Sequence, residues 1–342
     1  MNKNMPSQYR WQTLDIIKTI GCLGAIFSHI LIWQFGTTHR GVGIDLYDMN
    51  AVSWPILTFC FVIVHILFLS AGASFYFYIE KYHPSMRQVG TRLIPIILLG
   101  FLFGLNYHPF ILYWNVFFFY TLSILTLFFL QRFFGYTIIF LVTSLTLFLT
   151  PLLRMFFDDG FLENYFITFF FTDAQNTINF YPFFPFFSLI GFGFLTSHIY
   201  YTYQKKKLFI RSLASGTLAL FFLTLILERV DVSDIFGVTA HLPIRFLLLT
   251  IAFFVVILSL IELIAHGRMI TKKYHPLVII GRHILPVYVL TLLSSLVFLN
   301  FFQRLSFYNK ESIGVFLFSL FITFDIAYAI AVILTYRNRQ NA

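Results

Sequence analysis

The chain has 342 residues, 59% of them hydrophobic and 11% charged, with a mean hydropathy of +0.83 and a formal net charge of +9. Soluble globular domains do not carry this composition, and repeated runs of about 20 apolar residues match the length a helix needs to cross the bilayer core. The surplus cations sit in short loops between those runs, which points to membrane orientation and away from a nucleic-acid partner.

In chain order, ten membrane segments are expected: 14–34, 53–79, 92–106, 110–130, 135–154, 180–203, 208–228, 242–265, 276–300 and 312–336. The first is too long for a signal-peptide core, carries charge and lacks a small-residue cleavage site, so it is expected to stay in the mature protein. The third is short and runs into the breaker "NYHP" at Asn106–Pro109. A long connection, 155–179, follows the fifth and has room for a short interfacial helix. Cys22 and Cys60 both fall inside apolar segments and form neither a disulfide framework nor a metal-ligand spacing, so no metal is expected. The 48 Phe residues mostly stand where Leu would serve and read as compositional bias. With no soluble insert, no low-complexity linker and no strong repeat, the expectation is an all-α, polytopic transmembrane bundle. It forms a single domain, 1–342.

Charge placement orients it. With the N-terminus inside, the inner loops hold Lys3, Arg10, Lys81, Arg87, Arg92, Arg132, Lys205, Lys206, Lys207, Arg211, Arg268, Lys272, Lys273, Arg337 and Arg339, opposed only by Glu80. The opposite loops collect acids, from Asp45 and Asp48 through Asp158, Asp159 and Glu163 to Glu311. This positive-inside bias predicts that both termini are cytoplasmic.

The first segment contains "LDIIKTIGCLGAIFSHILIW" (14–33), with Lys18 and His29 eleven residues apart. At about 100° per residue that spacing returns to within about 20° of the same face and separates the two by about 16 Å along the axis. Small residues, Cys22 and Ala25, lie between them on that face. Lys18 reads either as a snorkelling or Asp15-paired lysine or as an anion-holding cation. His29 reads either as a polar residue satisfied between helices or as a proton acceptor. Taken together, a cation, a stripe of small residues and an imidazole suit a phosphate-bearing tail whose reactive end lies at the histidine.

The stretch "YRWQTLDIIKTIGCLGAIFSHIL" resembles the opening of the membrane-bound acyltransferases, the superfamily of the acyltransferase 3 and heparan-α-glucosaminide N-acetyltransferase-like proteins. Arg10, Leu14, Asp15 and His29 match its pattern, and Lys18 stands where the family usually has Arg, keeping the charge but losing the bidentate fork. "FLSAGASFYFY" (68–78), "RLIPIILLGFLFGL" (92–105), "NFYPFFPFFSLIGFGFLTS" (179–197) and "IIGRHILPVYVLTLL" (279–293) are similar to later segments, closer to the second branch. The resemblance implies acyl transfer, commonly of acetyl from acetyl-CoA, to a sugar or glycan acceptor, with His29 as the catalytic base. It also implies residence in a bacterial cytoplasmic membrane.

Other polar residues sort around that implication. Lys18, Arg92 and Arg282 are candidates for a basic cluster at one depth, suited to the phosphates of CoA; Arg92 reads equally as an interfacial anchor. Asp325, mid-segment in the tenth helix, is expected to neutralise Lys18 or Arg282. Asp15, Arg10 and Tyr288 are supporting candidates. Asn106, His108 and Asp45, at the outer mouth, are candidates for acceptor hydrogen bonds or are plain solvated loop residues. His65 reads as a helix-packing residue. Two rival functions stay open: a transporter or flippase for a glycan or lipid-linked substrate, and a non-enzymatic subunit of an envelope assembly. An oligomer is compatible with all three.

Overall fold

The computed structural model describes residues 12–35, 37–38, 44–45, 53–105, 116–156, 183–202, 215, 244–266, 275–302 and 313–340. These form α1 (Gln12–Phe35), α2 (Ser53–Tyr82), α3 (Met86–Leu105), α4 (Val116–Phe133), α5 (Tyr136–Phe156), α6 (Phe183–Thr202), α7 (Ile244–His266), α8 (Pro276–Arg282), α9 (Ile284–Phe302) and α10 (Ile313–Gln340). One two-residue antiparallel ladder, β1 (Thr37–Thr38) with β2 (Ile44–Asp45), follows α1 and pairs Thr37 with Asp45. The described residues are thus helical as expected apart from this ladder, and nine of the ten anticipated segments overlap these helices. The segment 208–228, apart from Ser215, and the connection beyond Phe156 lie outside the described residues.

Length and apolarity suit membrane crossing in five stretches: Gln12–Ile30, Ile63–Tyr82, Val116–Phe133, Phe183–Thr202 and Phe318–Arg337. A sixth is reached if the bent pair α8 and α9 counts as one. Five or six spans is what the described residues carry. Large apolar side chains face outward on these helices, with Phe321, Ile333 and Tyr336 on α10 each more than half exposed. That is the surface expected where lipid is the solvent.

The turns follow local chemistry. α2 stops where His83 adopts a left-handed conformation (φ 44°) and Pro84 follows, a pairing that cannot continue a helix. α3 then opens with a reciprocal cap: the Ser85 N–H donates to Gln88 Oε1 at 2.8 Å and the Gln88 N–H to Ser85 Oγ at 3.3 Å. This capping box satisfies two of the N–H groups a helix start leaves orphaned. Between α4 and α5, Gly135 supplies the positive φ (80°) that closes α4.

The chain divides into two compact units, residues 1–67 with 256–342, and residues 68–255. In the first, α8 lies along α1, and α10 packs on both α8 and α9. Its core gathers Leu23, Ile279, Ile280, Val287, Ala327 and Ala331. Gly281 makes the close approach possible: a methyl group there would collide with the Asp15 carbonyl of α1. The Thr19 hydroxyl reaches the Leu277 carbonyl across the same seam. In the second unit, α6 packs on α5 and on the later half of α2. Gly72 faces the Ile190 carbonyl and Gly193 the Leu69 carbonyl, again with no room for a Cβ. Small residues at such contacts let backbones approach, which is how helices associate where burial from water no longer drives them. Phe68, Phe119 and Phe186 meet edge to face there, with centroids 5.1–6.2 Å apart.

Candidate active site

The site is built on α1. Its lower turn holds Asp15, only 2% exposed. Lys18 Nζ lies 3.7 Å from Asp15 Oδ1, and Arg282 Nε, from the end of α8, lies 3.9 Å from Asp15 Oδ2. One buried carboxylate is therefore shared by two cations that are themselves more than four-fifths buried. Removing charge from water costs several kcal/mol per ion, so each member depends on the others. The Gly281–Asp15 seam places Arg282, the next residue, within reach.

Higher on α1, His29 Nε2 lies 3.2 Å from the Tyr288 hydroxyl of α9. Either group can donate, according to the imidazole tautomer. Between these two levels, Cys22 is fully buried and Ala25 is 4% exposed, while Gly21 packs on Leu67 of α2. The small-residue stripe is thus a packing face and not an open groove. This corrects the expectation of a tail lying along it: the face that Lys18 and His29 share was read correctly as small, but helices fill it.

A break in the backbone separates the two levels on the partner side. α8 and α9 are bent by 100° about His283, whose φ and ψ (−116°, 36°) are not helical. Pro286, in the first turn of α9, has no N–H to offer the Arg282 carbonyl, which weakens the helix here and favours a break at this point. His283 Nε2 meets Thr335 Oγ1 of α10 at 3.1 Å, which holds the corner.

The remaining candidates are placed as follows. Arg92 is exposed in the second unit, its guanidinium 4.2 Å from the centre of the Tyr78 ring. Asp325 is exposed on α10, and the carboxylate that meets Lys18 and Arg282 is that of Asp15, not Asp325. Asp45 sits in the short ladder after α1. Arg10, Asn106 and His108 lie outside the described residues. His65 is buried in α2.

Compared with protein-family models, with curated proteins and with solved structures, the chain finds no match. The acyltransferase resemblance accordingly rests on its own residues. What the geometry offers is an imidazole held by a phenol on one level and a shared-carboxylate cluster on another. Sequence reading had both ends of this arrangement but missed Thr335 and the corner at His283. A signal for the corner was present in "GRHILP", where Pro286 disfavours a continuous helix.

Proposed function

We propose that the chain is an integral-membrane acyltransferase that moves an acyl group, acetyl in the simplest case, from cytoplasmic acyl-CoA to a saccharide or glycan acceptor. The observation that carries this reading is that α1 presents His29 to Tyr288 of α9 and, lower down, Asp15 and Lys18 to Arg282 of α8. In this reading Lys18 and Arg282 hold the donor's phosphates, Asp15 fixes where those cations stand, and the donor's arm reaches His29 by a path other than the filled Cys22–Ala25 face. His29 is the base and Tyr288 sets its orientation. With the ring proton on Nε2 donated to the Tyr288 oxygen, the Nδ1 lone pair takes the proton of the acceptor hydroxyl or amine. The acceptor heteroatom bonds to the thioester carbonyl, the carbon–sulfur bond breaks, and the departing thiolate collects the proton from His29. General-base catalysis of this kind contributes about 10²–10⁴-fold, and holding both substrates together supplies the rest.

The topology belongs to the same reading: ten spans in a bacterial cytoplasmic membrane, both termini cytoplasmic, the acceptor arriving from the outer side past Asn106, His108 and Asp45. The run of cations in alternate loops supports it.

Binding of acetyl-CoA to the purified protein, followed by calorimetry, tests the donor. Lys18→Ala should weaken affinity about tenfold, the cost of one charge-assisted contact of about 1.4 kcal/mol. Lys18→Arg should keep affinity, and His29→Ala should leave it unchanged. Unaltered affinity in Lys18→Ala removes the phosphate role, and a wild-type protein that binds no acyl-CoA removes the reading.

A transporter or flippase is the second reading, and the α8–α9 corner favours it. Broken helices within a membrane commonly line substrate sites in transporters. Counterflow of a labelled glycan in proteoliposomes, without any acylated product, would select it.

A further inference from the structure

Between Ile313 and Arg337, α10 carries one charged side chain, and it stands at the middle. Asp325 lies about 18 Å along the helix axis from each of those residues. The stretch around it, Phe318–Arg337, is among those suited to crossing hydrocarbon.

The packing of α10 fixes which way Asp325 points. Thr323, Ala327 and Ala331 are all buried, and the two alanines belong to the core of the first unit. At about 100° per residue these three lie roughly 120–160° around the helix from Asp325. Phe318, Phe321, Ala329, Val332 and Tyr336 lie within about 40° of it and, like it, are exposed. Asp325 is therefore the centre of the outward face. Among the described residues, no hydrogen bond or ion pair reaches its carboxylate.

Lipid cannot supply the missing partner, because hydrocarbon neither bonds nor solvates a carboxylate. A long side chain can carry its charge to the interface, but aspartate has a single methylene and about 18 Å to cover. α9 gives the contrast. Its outward Leu290, Leu293, Val297 and Phe301 are all apolar, as suits a face that meets only lipid.

We propose that the outward face of α10 docks a transmembrane helix of another protein, one that carries a lysine or arginine near its own middle. That cation meets Asp325 at the same depth. Ala329, one turn further on, leaves room for the two backbones to approach. Opposite charge decides the occupant. A second copy of this chain, in the two-fold arrangement commonest for self-association, would set one Asp325 against the other. The docking rests on the membrane setting of the chain and is independent of acyl transfer, so either can fail alone.

Energy transfer in phosphatidylcholine vesicles tests it, between the labelled protein and synthetic apolar peptides of about 20 residues. One peptide has lysine at its centre and its twin has leucine there. The lysine peptide should associate about tenfold more tightly, the size of one polar contact between helices in hydrocarbon. Asp325→Leu should abolish that preference while keeping at least the wild-type unfolding midpoint, because the side chain faces away from the core. Asp325→Glu should keep the preference, and Val297→Ala, on the outward face of α9, should not alter it. Equal association of the two peptides with the wild type overturns the proposal. So does a preference that survives in Asp325→Leu. Energy transfer between two differently labelled batches of the protein itself, lost in Asp325→Leu, would give the face to a second copy and overturn it as well.

Discussion

Gly281→Ala should unfasten α8 from α1. The added methyl carbon would lie 2.6 Å from the Asp15 carbonyl carbon and 2.9 Å from its Cα, and the carbonyl oxygen stands nearer still. Ordinary carbon contacts need about 3.4 Å or more, and backbone atoms cannot rotate aside, so α8 must retreat by roughly 0.8 Å or more. The Asp15–Arg282 distance, already 3.9 Å, opens with it. Overpacking of this kind costs about 1–3 kcal/mol, partly offset by the helix propensity of alanine, worth up to about 1 kcal/mol. Gly90→Ala on α3 is the matched comparison, because nothing lies within 4 Å of its added carbon. It should gain the propensity and pay no collision. Reversible unfolding in mixed detergent micelles reads both. The folded-to-unfolded equilibrium constant should fall about tenfold or more for a net loss near 1.4 kcal/mol in Gly281→Ala and rise in Gly90→Ala. A Gly281→Ala protein as stable as wild type would refute the close backbone contact on which the site's lower level depends.

Asp15→Asn leaves Lys18 and Arg282 side by side with no shared carboxylate, and should destabilise the fold by about 3–5 kcal/mol; an unchanged unfolding midpoint would show that the cluster is not coupled. Tyr288→Phe removes the hydroxyl that meets His29. Combined with His29→Ala in a double-mutant cycle, it should reveal a coupling of about 0.6–1.7 kcal/mol in unfolding measurements, and strictly additive effects would place the two groups apart.

The helices were legible because apolar runs of membrane length have few alternative structures. Lys18 and His29 could be placed on one face from spacing alone, since 3.6-residue periodicity fixes angle without reference to neighbours. Partners could not be placed that way. Tyr288 stood out only as a tyrosine in a suggestive stretch, and its meeting with His29 depends on the α8–α9 corner bringing a distant part of the chain to α1. The charge balance was legible in part: the Asp15–Lys18 pairing, one of the open readings of Lys18, is present, but the partner of Arg282 was not foreseen. Asp325 looked like the natural counter-ion because it is a lone acid mid-helix, yet helix rotation turns it outward, while Asp15 lies three residues from Lys18 and faces Arg282. The Cys22–Ala25 stripe shows that small residues mark close approach without saying whether a ligand or a helix does the approaching.

The most direct test of acyl transfer is to incubate purified protein with acetyl-labelled acetyl-CoA and a saccharide acceptor mixture, with His29→Ala alongside. The account predicts label in acceptor and stoichiometric free CoA from the wild type. It predicts a loss of about 10²–10⁴-fold in His29→Ala with acetyl-CoA binding intact. A His29→Ala protein that transfers label at the wild-type rate would contradict it.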